Sequence, residues 1–205
     1  MAAQVPIGAG LAFSHKYNET NNVCVTYFGD GAANQGQVYE SYNIASLWKL
    51  PVIFVIENNK YGMGTSVNRS SAGENLSDRG KAYGIKAEIV DGMDVIAVRD
   101  SAIRAMEYCR SGKGPYILEM KTYRYRGHSM SDPAKYRTRD EVEKIRKNSD
   151  PIENIKDILI KNGINEDKIK NIDSEIKMTI ADAAKFAQQS PEPSVEELFT
   201  DITVN

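Results

Sequence analysis

Four short hydrophobic runs, each separated from the next by a helix-like segment, most constrain the fold of this chain. They are Val23–Phe28, Val52–Ile56, Lys86–Val90 and Tyr116–Lys121, and their apolar character is continuous rather than alternating. Strands that are apolar on both faces are typical of parallel sheets covered by helices on both sides. We therefore predict an α/β fold built on a doubly wound, mostly parallel sheet.

Helical patterns lie between these runs. Residues 34–50 repeat apolar side chains at helical spacing, a short helix is expected near residues 76–83, and Asp94 can cap a helix that continues to Cys109. The first helix contains Ile7–Ala12, which is small and apolar on all sides. This predicts a buried helix, so either the chain is a fragment or its first strand–helix units come from another polypeptide.

The chain changes character near residue 121. Residues 122–137 are basic, aromatic and aperiodic, which predicts an exposed loop after the α/β domain of residues 1–121. Residues 138–205 contain a stripe of isoleucines at helical spacing, and capping-box patterns begin at Thr138 and Ser194. We predict that this last segment is a helical appendage.

Composition excludes several classes of function. Charged residues make up 26% of the chain and the net charge is −2, so neither nucleic acid nor an anionic membrane is an expected partner. No apolar run approaches the ~20 residues that span a bilayer. Cys24 and Cys109 are predicted to be reduced core residues. Because no signal or transit peptide is recognisable, we expect a bacterial cytoplasmic protein, or a mitochondrial matrix protein if the chain is a truncated eukaryotic one.

Polar residues follow two of the predicted strands directly, namely Gly29-Asp30-Gly31 and Asn58-Asn59. The carboxyl ends of parallel strands share one edge of a sheet, where ligands bind. A glycine turn before a helix offers N–H groups to phosphate, but Asp30 would repel that phosphate unless a divalent cation lay between them. Mg²⁺ prefers oxygen ligands such as the Asp30 carboxylate, the Asn59 amide and a backbone carbonyl. The sequence therefore predicts a magnesium–diphosphate site, provided that the two strands are close neighbours.

The glycine-rich turns are compatible with more than one kind of ligand site. Gly62 and Gly64 give the backbone after Tyr61 the freedom to turn a carbonyl inward, which favours the metal site. A nucleotide triphosphatase loop is excluded, since no Gly-Lys-Ser/Thr follows. A dinucleotide-binding oxidoreductase stays open because Glu57 ends the second strand, although Asn34 occupies the position of the third glycine.

The same residues resemble the thiamine-diphosphate motif, in which Gly-Asp-Gly is followed after a spacer by Asn-Asn. Over essentially its whole length the chain resembles the alpha subunits of the thiamine-diphosphate-dependent 2-oxo acid dehydrogenase family, and among them the pyruvate dehydrogenase component. Branched-chain relatives usually carry Gly-Glu-Gly-Ala-Ala-Ser, so Asp30 and Asn34 favour pyruvate. A branched-chain or acetoin dehydrogenase remains an alternative. The resemblance rests on residues 29–37, 47–51, 57–66 and 123–133.

The resemblance implies thiamine diphosphate and Mg²⁺ as cofactors, and roles for particular residues. It places Mg²⁺ on Asp30, Asn59 and the carbonyl of Tyr61, and it places the diphosphate against the backbone of Gly31 and Ala32. His128 is implied as a catalytic residue on a loop at the mouth of the active site, close to the diphosphate. Phosphorylation is implied at Ser129 and Ser66.

The resemblance also implies partners. Family members have a longer amino-terminal part with substrate-side residues, and their beta subunit supplies the glutamate that activates the cofactor. It therefore implies an α₂β₂ heterotetramer that decarboxylates pyruvate and passes the acetyl group to the lipoyl domain of an acyltransferase core. The alternative is an incomplete, non-catalytic fragment that only assembles with a beta subunit.

Overall fold

A four-stranded parallel sheet forms the centre of the computed structural model, which describes residues 1–202. Its strands run in the order β1-β2-β6-β5, and all three neighbouring pairs are parallel. A separate two-stranded antiparallel ribbon pairs β3 with β4. The predicted α/β class and parallel sheet are confirmed. The strands are β1 Cys24–Gly29, β2 Val52–Asn58, β3 Tyr61–Gly62, β4 Thr65–Ser66, β5 Lys86–Asp91 and β6 Tyr116–Lys121.

Seven α-helices and three 3-10 helices occur within residues 1–202. None of these helices is both long enough and apolar enough to cross a membrane. The α-helices are α1 Gln4–Tyr17, α2 Gly36–Leu47, α3 Val67–Ser70, α4 Val95–Arg110, α5 Arg139–Ser149, α6 Pro151–Lys161 and α7 Glu166–Gln189, and the 3-10 helices are Ala32–Asn34, Leu76–Tyr83 and Val195–Phe199.

Alternate residues of the central strand β2 enter two different cores. Phe54 and Ile56 belong to a cluster with residues of α1, α2 and the 3-10 helix Leu76–Tyr83, whereas Ile53 and Val55 pack with residues of α4. Because both faces of β2 are covered, its sequence is apolar without alternation. Edge strand β1 differs, since Tyr27 is 57% exposed.

Helix α1 is buried on one face only, which corrects the prediction of a helix buried on all sides. Val5, Gly8, Ala9 and Ala12 are buried, while Ile7 is 62% exposed. The small residues are needed because α1 lies close to β1: a Cβ added to Gly8 would stand 2.7 Å from the Cβ of Thr26. Apolar character on every side of this helix therefore reflects close packing on one face and exposed aliphatic residues on the other.

We expect Gly8→Ala to destabilise the protein by about 1–3 kcal/mol, because the added methyl group has no space against Thr26. This loss should exceed the gain of up to about 1 kcal/mol in helix propensity. Gly10→Ala is a matched control in the same helix, since nothing lies within 4 Å of its added Cβ. Chemical denaturation should show opposite signs for the two variants; equal stabilisation would contradict the close contact between α1 and β1.

The chain divides into two compact units, Met1–Asn154 and Ile155–Asn205. In the first, Thr138 caps α5 as predicted, accepting a hydrogen bond from the Glu141 N–H at 3.2 Å. In the second, the Ser194 hydroxyl does not cap a helix N-terminus. Instead the Glu197 N–H donates to the main-chain carbonyl of Ser194, because this segment is a single 3-10 turn rather than an α-helix.

The second unit contains a long helix with an exposed apolar stripe. Ile172, Ile176 and Ile180 on α7 are all about half exposed or more, at 49%, 58% and 65%. Lys156 of α6 contacts Asp173 of α7 at 3.1 Å, which joins these two helices. The isoleucines predicted to lie on one helix are indeed in α7. Among the described residues, this stripe is open to solvent.

Candidate metal and diphosphate site

Strands β1 and β2 are adjacent and in parallel register, with Gly29 opposite Glu57. The residues that follow them therefore meet at one edge of the sheet, as the metal-site prediction requires. Asp30 and Asn59 both line a cavity of about 410 Å³. The remaining lining residues are Met1, Ala2, Gln4, Gly29, Gly31, Ala32, Tyr61, Gly62, Met63, Arg124 and His128.

Asp30 is a buried carboxylate whose hydrogen bonding is incomplete. Its residue is 2% exposed, and Oδ2 is buried with no hydrogen-bond partner among residues 1–202. Burial raises the pKa of this carboxyl above its ordinary 3.8, although backbone N–H groups of Asp30 and Asn59 and the charge of Arg124 act to lower it. An unpaired buried carboxylate oxygen is unfavourable unless a cation contacts it. Asp30 therefore has the properties of a metal ligand.

The turn after β2 has an unusual backbone. The Asn59 Oδ1 accepts a hydrogen bond from the Tyr61 N–H at 3.3 Å, and Lys60 and Met63 adopt left-handed conformations with φ of 72° and 55°. From the sequence, the unusual backbone conformations were expected at Gly62 and Gly64. In the structure the positive φ values belong to non-glycine residues instead. Non-glycine residues seldom adopt this conformation and pay a strain energy for it, and such residues cluster at functional sites.

Gly62 has a steric role instead. A Cβ added to Gly62 would lie 3.2 Å from the Cα of Gly31 and 3.6 Å from the free Oδ2 of Asp30. The turns after β1 and β2 thus approach each other closely, and any side chain at Gly62 would fill the space beside the carboxylate. Oxygen ligands, a free carboxylate oxygen and open space beside it together fit a hard cation such as Mg²⁺.

Arg124 connects the loop of residues 122–137 to this cavity, and the sequence did not single it out. Its Nη2 donates to the carbonyl of Met63 at 2.8 Å, and its Nη1 lies 3.2 Å from Nδ1 of His128. Because arginine has only donors, Nδ1 must be the acceptor, which leaves the proton of a neutral His128 on Nε2. Two signals in the sequence pointed to this region, namely the basic character of the loop and the family resemblance of residues 123–133, but neither gave Arg124 a role.

Asp132 holds the turn that contains His128. Its Oδ2 accepts the His128 N–H at 2.7 Å and the Tyr136 hydroxyl at 2.9 Å, while its Oδ1 accepts the Ala134 N–H at 2.8 Å. The pKa of Asp132 is lowered chiefly by the two backbone N–H groups. Asp132 therefore holds three groups of the loop around His128 in place.

The remaining predicted site residues lie outside the cavity lining. Ser129 is exposed, and its hydroxyl is 3.1 Å from that of Ser131. Ser66 is in β4, paired with Tyr61. The structure brings the other predicted residues together around the cavity, whereas these two serines lie next to lining residues without lining it themselves. The lining residues predicted from sequence are Asp30, Gly31, Ala32, Asn59, Tyr61 and His128.

A buried polar cluster lies behind the Asn58-Asn59 turn and was not predicted. Glu119 in β6 is fully buried and accepts hydrogen bonds from Asn58 Nδ2 at 2.7 Å, Lys121 Nζ at 2.6 Å and the Ser77 N–H at 2.8 Å. Burial acts to raise the pKa of this carboxyl, but the three donors outweigh it and hold the pKa below its ordinary 4.5. The signal in the sequence was a lone glutamate within an apolar strand.

Glu119 should make the free energy of unfolding depend on pH in the acid range. Because its pKa is lower in the folded chain, its contribution is complete above about pH 4.5 and is lost as the pH falls through the folded value. We expect Glu119→Gln to cost about 2 kcal/mol at neutral pH, since the amide cannot satisfy all three donors. Urea denaturation of both proteins should show that the difference in their free energies of unfolding narrows below pH 4.5. A difference that does not change with pH would contradict an ionised Glu119.

Comparison with known proteins identifies relatives over nearly the whole chain. The alpha subunit of the pyruvate dehydrogenase E1 component from Rhizobium meliloti (strain 1021) is 61% identical over 203 residues, which cover 98% of this chain and 58% of the relative. Its counterpart from Zymomonas mobilis is 56% identical over 204 residues, covering 100% of this chain and 58% of the relative. The human mitochondrial somatic form is 52% identical over 200 residues, covering 97% and 51%.

The model of the dehydrogenase E1 component family matches residues 1–196, so the chain belongs to that family. The chain spans a little more than half the length of these relatives. The family resemblance found from the motifs is confirmed. Family membership therefore disfavours the alternative that the Gly-Asp-Gly turn belongs to a dinucleotide-binding oxidoreductase.

Proposed function

We propose that this chain is a portion of the alpha subunit of a thiamine-diphosphate-dependent pyruvate dehydrogenase component. Its cavity would hold Mg²⁺ and the diphosphate of the cofactor. The observation that carries this proposal is Asp30, whose buried Oδ2 has no partner within residues 1–202 and stands beside the strained turn of Asn59. Family membership and the names of the relatives support the same chemistry.

The metal would be held by the carboxylate of Asp30, the amide oxygen of Asn59 and the main-chain carbonyl of Tyr61. The backbone of Gly31 and Ala32, where a 3-10 helix begins, would contact the diphosphate. Residues 1–202 contain no group of three or more histidine, cysteine or acidic side chains suited to a metal. A mixed set of protein and phosphate oxygens is what Mg²⁺ commonly uses.

The loop of residues 122–137 would act as the active-site loop. Bound thiamine diphosphate supplies an electron sink for the loss of carbon dioxide from a 2-oxo acid. His128, exposed at the cavity, would be the catalytic residue of this chain, presenting its Nε2 proton to the reacting groups. Arg124 would add positive charge facing the diphosphate, and Asp132 would keep His128 in place.

Assembly with other chains is part of the proposal. The relatives are named as alpha subunits of an E1 component, which supports a complex with a beta subunit. We propose that this complex has an α₂β₂ arrangement. Exposed apolar side chains on α1 and at the end of α2, including Ile7, Leu11, Leu47 and Trp48, support buried contacts with such partners. The lipoyl domain of the acyltransferase would accept the acetyl group. We propose a bacterial cytoplasmic location, or the mitochondrial matrix for a eukaryotic source.

Phosphorylation of Ser129 would inhibit the enzyme by disturbing the active-site loop. Its exposed hydroxyl lies 3.1 Å from that of Ser131 and close in sequence to Asp132, so a phosphate there would place a dianion against a carboxylate. Repulsion would then weaken the hydrogen bond from the His128 N–H to Asp132. Ser66, which pairs with Tyr61, is the second proposed site.

We expect the 205-residue chain to bind thiamine diphosphate only when Mg²⁺ is present. Isothermal titration calorimetry with millimolar Mg²⁺ should detect binding, and EDTA should abolish it, because the diphosphate reaches Asp30 only through the metal. Adding a beta subunit and a separate amino-terminal piece of an alpha subunit should then produce pyruvate-dependent dye reduction. Comparing pyruvate with a branched-chain 2-oxo acid and acetoin identifies the substrate.

Three results would contradict parts of this proposal. Binding of NAD that EDTA leaves unchanged would indicate a dinucleotide site. Metal-dependent binding without dye reduction in the reconstituted complex would support the alternative of a non-catalytic assembly fragment. Faster turnover of a branched-chain 2-oxo acid or of acetoin than of pyruvate would move the chain to another member of the family.

A further inference from the structure

The buried carboxylate of Glu119 is connected to the proposed metal site through Asn58. The Asn58 side chain donates from Nδ2 to Glu119 at 2.7 Å, while its Oδ1 accepts the Lys60 N–H at 3.2 Å. Its main-chain carbonyl accepts the Thr122 N–H at 2.9 Å. Asn58 therefore orients both the turn that contains Asn59 and the start of the loop that contains Arg124 and His128.

Glu119 is held in place by burial and by several donors. It is fully buried in β6, which is hydrogen-bonded on both sides, and Lys121 and the backbone of Ser77 hold its two oxygens. A carboxylate with three donors has one favoured position, and its charge makes each of those hydrogen bonds strong. The amide of Asn58 must then present its nitrogen to Glu119 and its oxygen to the Lys60 N–H.

We propose that Glu119 is a positioning residue for the metal and diphosphate site, acting through Asn58 on the Asn59 turn and on the root of the His128 loop. It contacts neither the metal ligands nor the cavity. The identity of the ligand in this inference rests on the proposed function. The claim that Glu119 orders the Asn59 turn does not. Residues behind metal ligands commonly change metal affinity by about 10–100-fold when they are mutated.

The test uses the full 205-residue chain and two readouts. Hydrogen exchange in the metal-free protein follows the amides of Lys60 and Thr122, which donate to Asn58. Calorimetry follows the Kd for thiamine diphosphate at millimolar Mg²⁺. We expect Glu119→Gln to raise exchange at these two amides at least about 10-fold more than at amides of α2, and to weaken ligand binding about 10–100-fold.

Two further variants separate positioning from simple loss of stability. Ile117→Val shortens a fully buried side chain in the same strand without touching Asn58, so it should lower the Tm and leave the exchange ratio and the Kd unchanged. Asn58→Ala should reproduce the effects of Glu119→Gln. The double variant should bind no more weakly than Asn58→Ala alone, because both changes break one connection.

The outcomes for the two proposals are distinct. A Glu119→Gln protein with a lower Tm but an unchanged exchange ratio would overturn the positioning role. So would additive losses of affinity in the double variant. If the unmodified chain fails to bind Mg²⁺ and thiamine diphosphate, the proposed function is wrong, whereas the exchange at Lys60 and Thr122 still decides whether Glu119 orders the turn.

Discussion

Replacing Asp30 by asparagine should abolish Mg²⁺-dependent binding of thiamine diphosphate and, at the same time, stabilise the metal-free protein. Binding is lost because the amide supplies no negative charge to the metal. We expect the Kd to rise at least about 100-fold, which is the upper end of the range for residues that only support metal ligands. Stability rises because the buried Oδ2 has no hydrogen-bond partner within residues 1–202. Titration calorimetry and urea denaturation measure the two effects.

The sign of the stability effect follows from the pKa of Asp30. Burial raises this pKa above 3.8, so the folded chain holds the proton more tightly than the unfolded chain does. The ionised carboxylate therefore lowers stability at neutral pH, and this penalty disappears as the pH falls below 3.8. We expect Asp30→Asn to gain on the order of 1 kcal/mol at pH 7 and nothing at the acid end.

Asp78→Asn is the matched control for that experiment. Asp78 is exposed and pairs with Lys81 at 2.8 Å on the surface of a 3-10 helix. Surface ion pairs contribute little, so this variant should keep both its affinity and its stability within error. An Asp30→Asn protein that still binds the cofactor would show that Asp30 is not a metal ligand. An Asp30→Asn protein that is less stable than the original chain at neutral pH would show that the buried carboxylate does not destabilise the fold.

Phe54→Ala should give the largest loss of stability, about 3–5 kcal/mol. Phe54 is fully buried in the central strand β2, and its ring packs edge-on against that of Tyr42 with centroids 4.8 Å apart. Removing it leaves a cavity between the sheet and α2 that neither neighbouring strand can close. Chemical denaturation monitored by circular dichroism measures the effect.

Tyr17→Ala provides the comparison for Phe54→Ala. Tyr17 is an aromatic residue of similar size but is 78% exposed at the end of α1, so its removal should change stability by no more than about 0.5 kcal/mol. A loss below about 1 kcal/mol for Phe54→Ala would mean that the core between β2 and α2 rearranges around the missing ring.

Much of the fold was predictable because its elements are locally encoded. The β6 strand was predicted with its observed ends, and the capping of α4 by Asp94 is present as hydrogen bonds from the Ile96 and Ala97 N–H groups. Continuous apolar strands separated by helices leave few arrangements other than a parallel sheet. The burial of helix α1 was harder to predict, since the sequence of an apolar helix does not show which of its faces is packed and which is exposed.

The candidate site was predictable only in part. Asp30 and Asn59 were found because each follows a strand directly, and strand ends in a parallel sheet share an edge. Arg124 and Asp132 were missed because they lie in an aperiodic loop, where contacts depend on how the chain folds back. Glu119 was missed for a different reason: two of its three donors, Asn58 and Ser77, come from distant parts of the chain, and only Lys121 is a near neighbour in sequence.

The sequence by itself determined the class of fold, the family and the two turns that bear the candidate ligands, because each of these depends on residues close together in the chain. Tertiary structure alone decided that β1 and β2 are neighbours, that one oxygen of Asp30 is buried without a partner, and that Glu119 lies behind Asn58. Adjacency, burial and satisfied charge arise from residues far apart in sequence, so no local pattern records them.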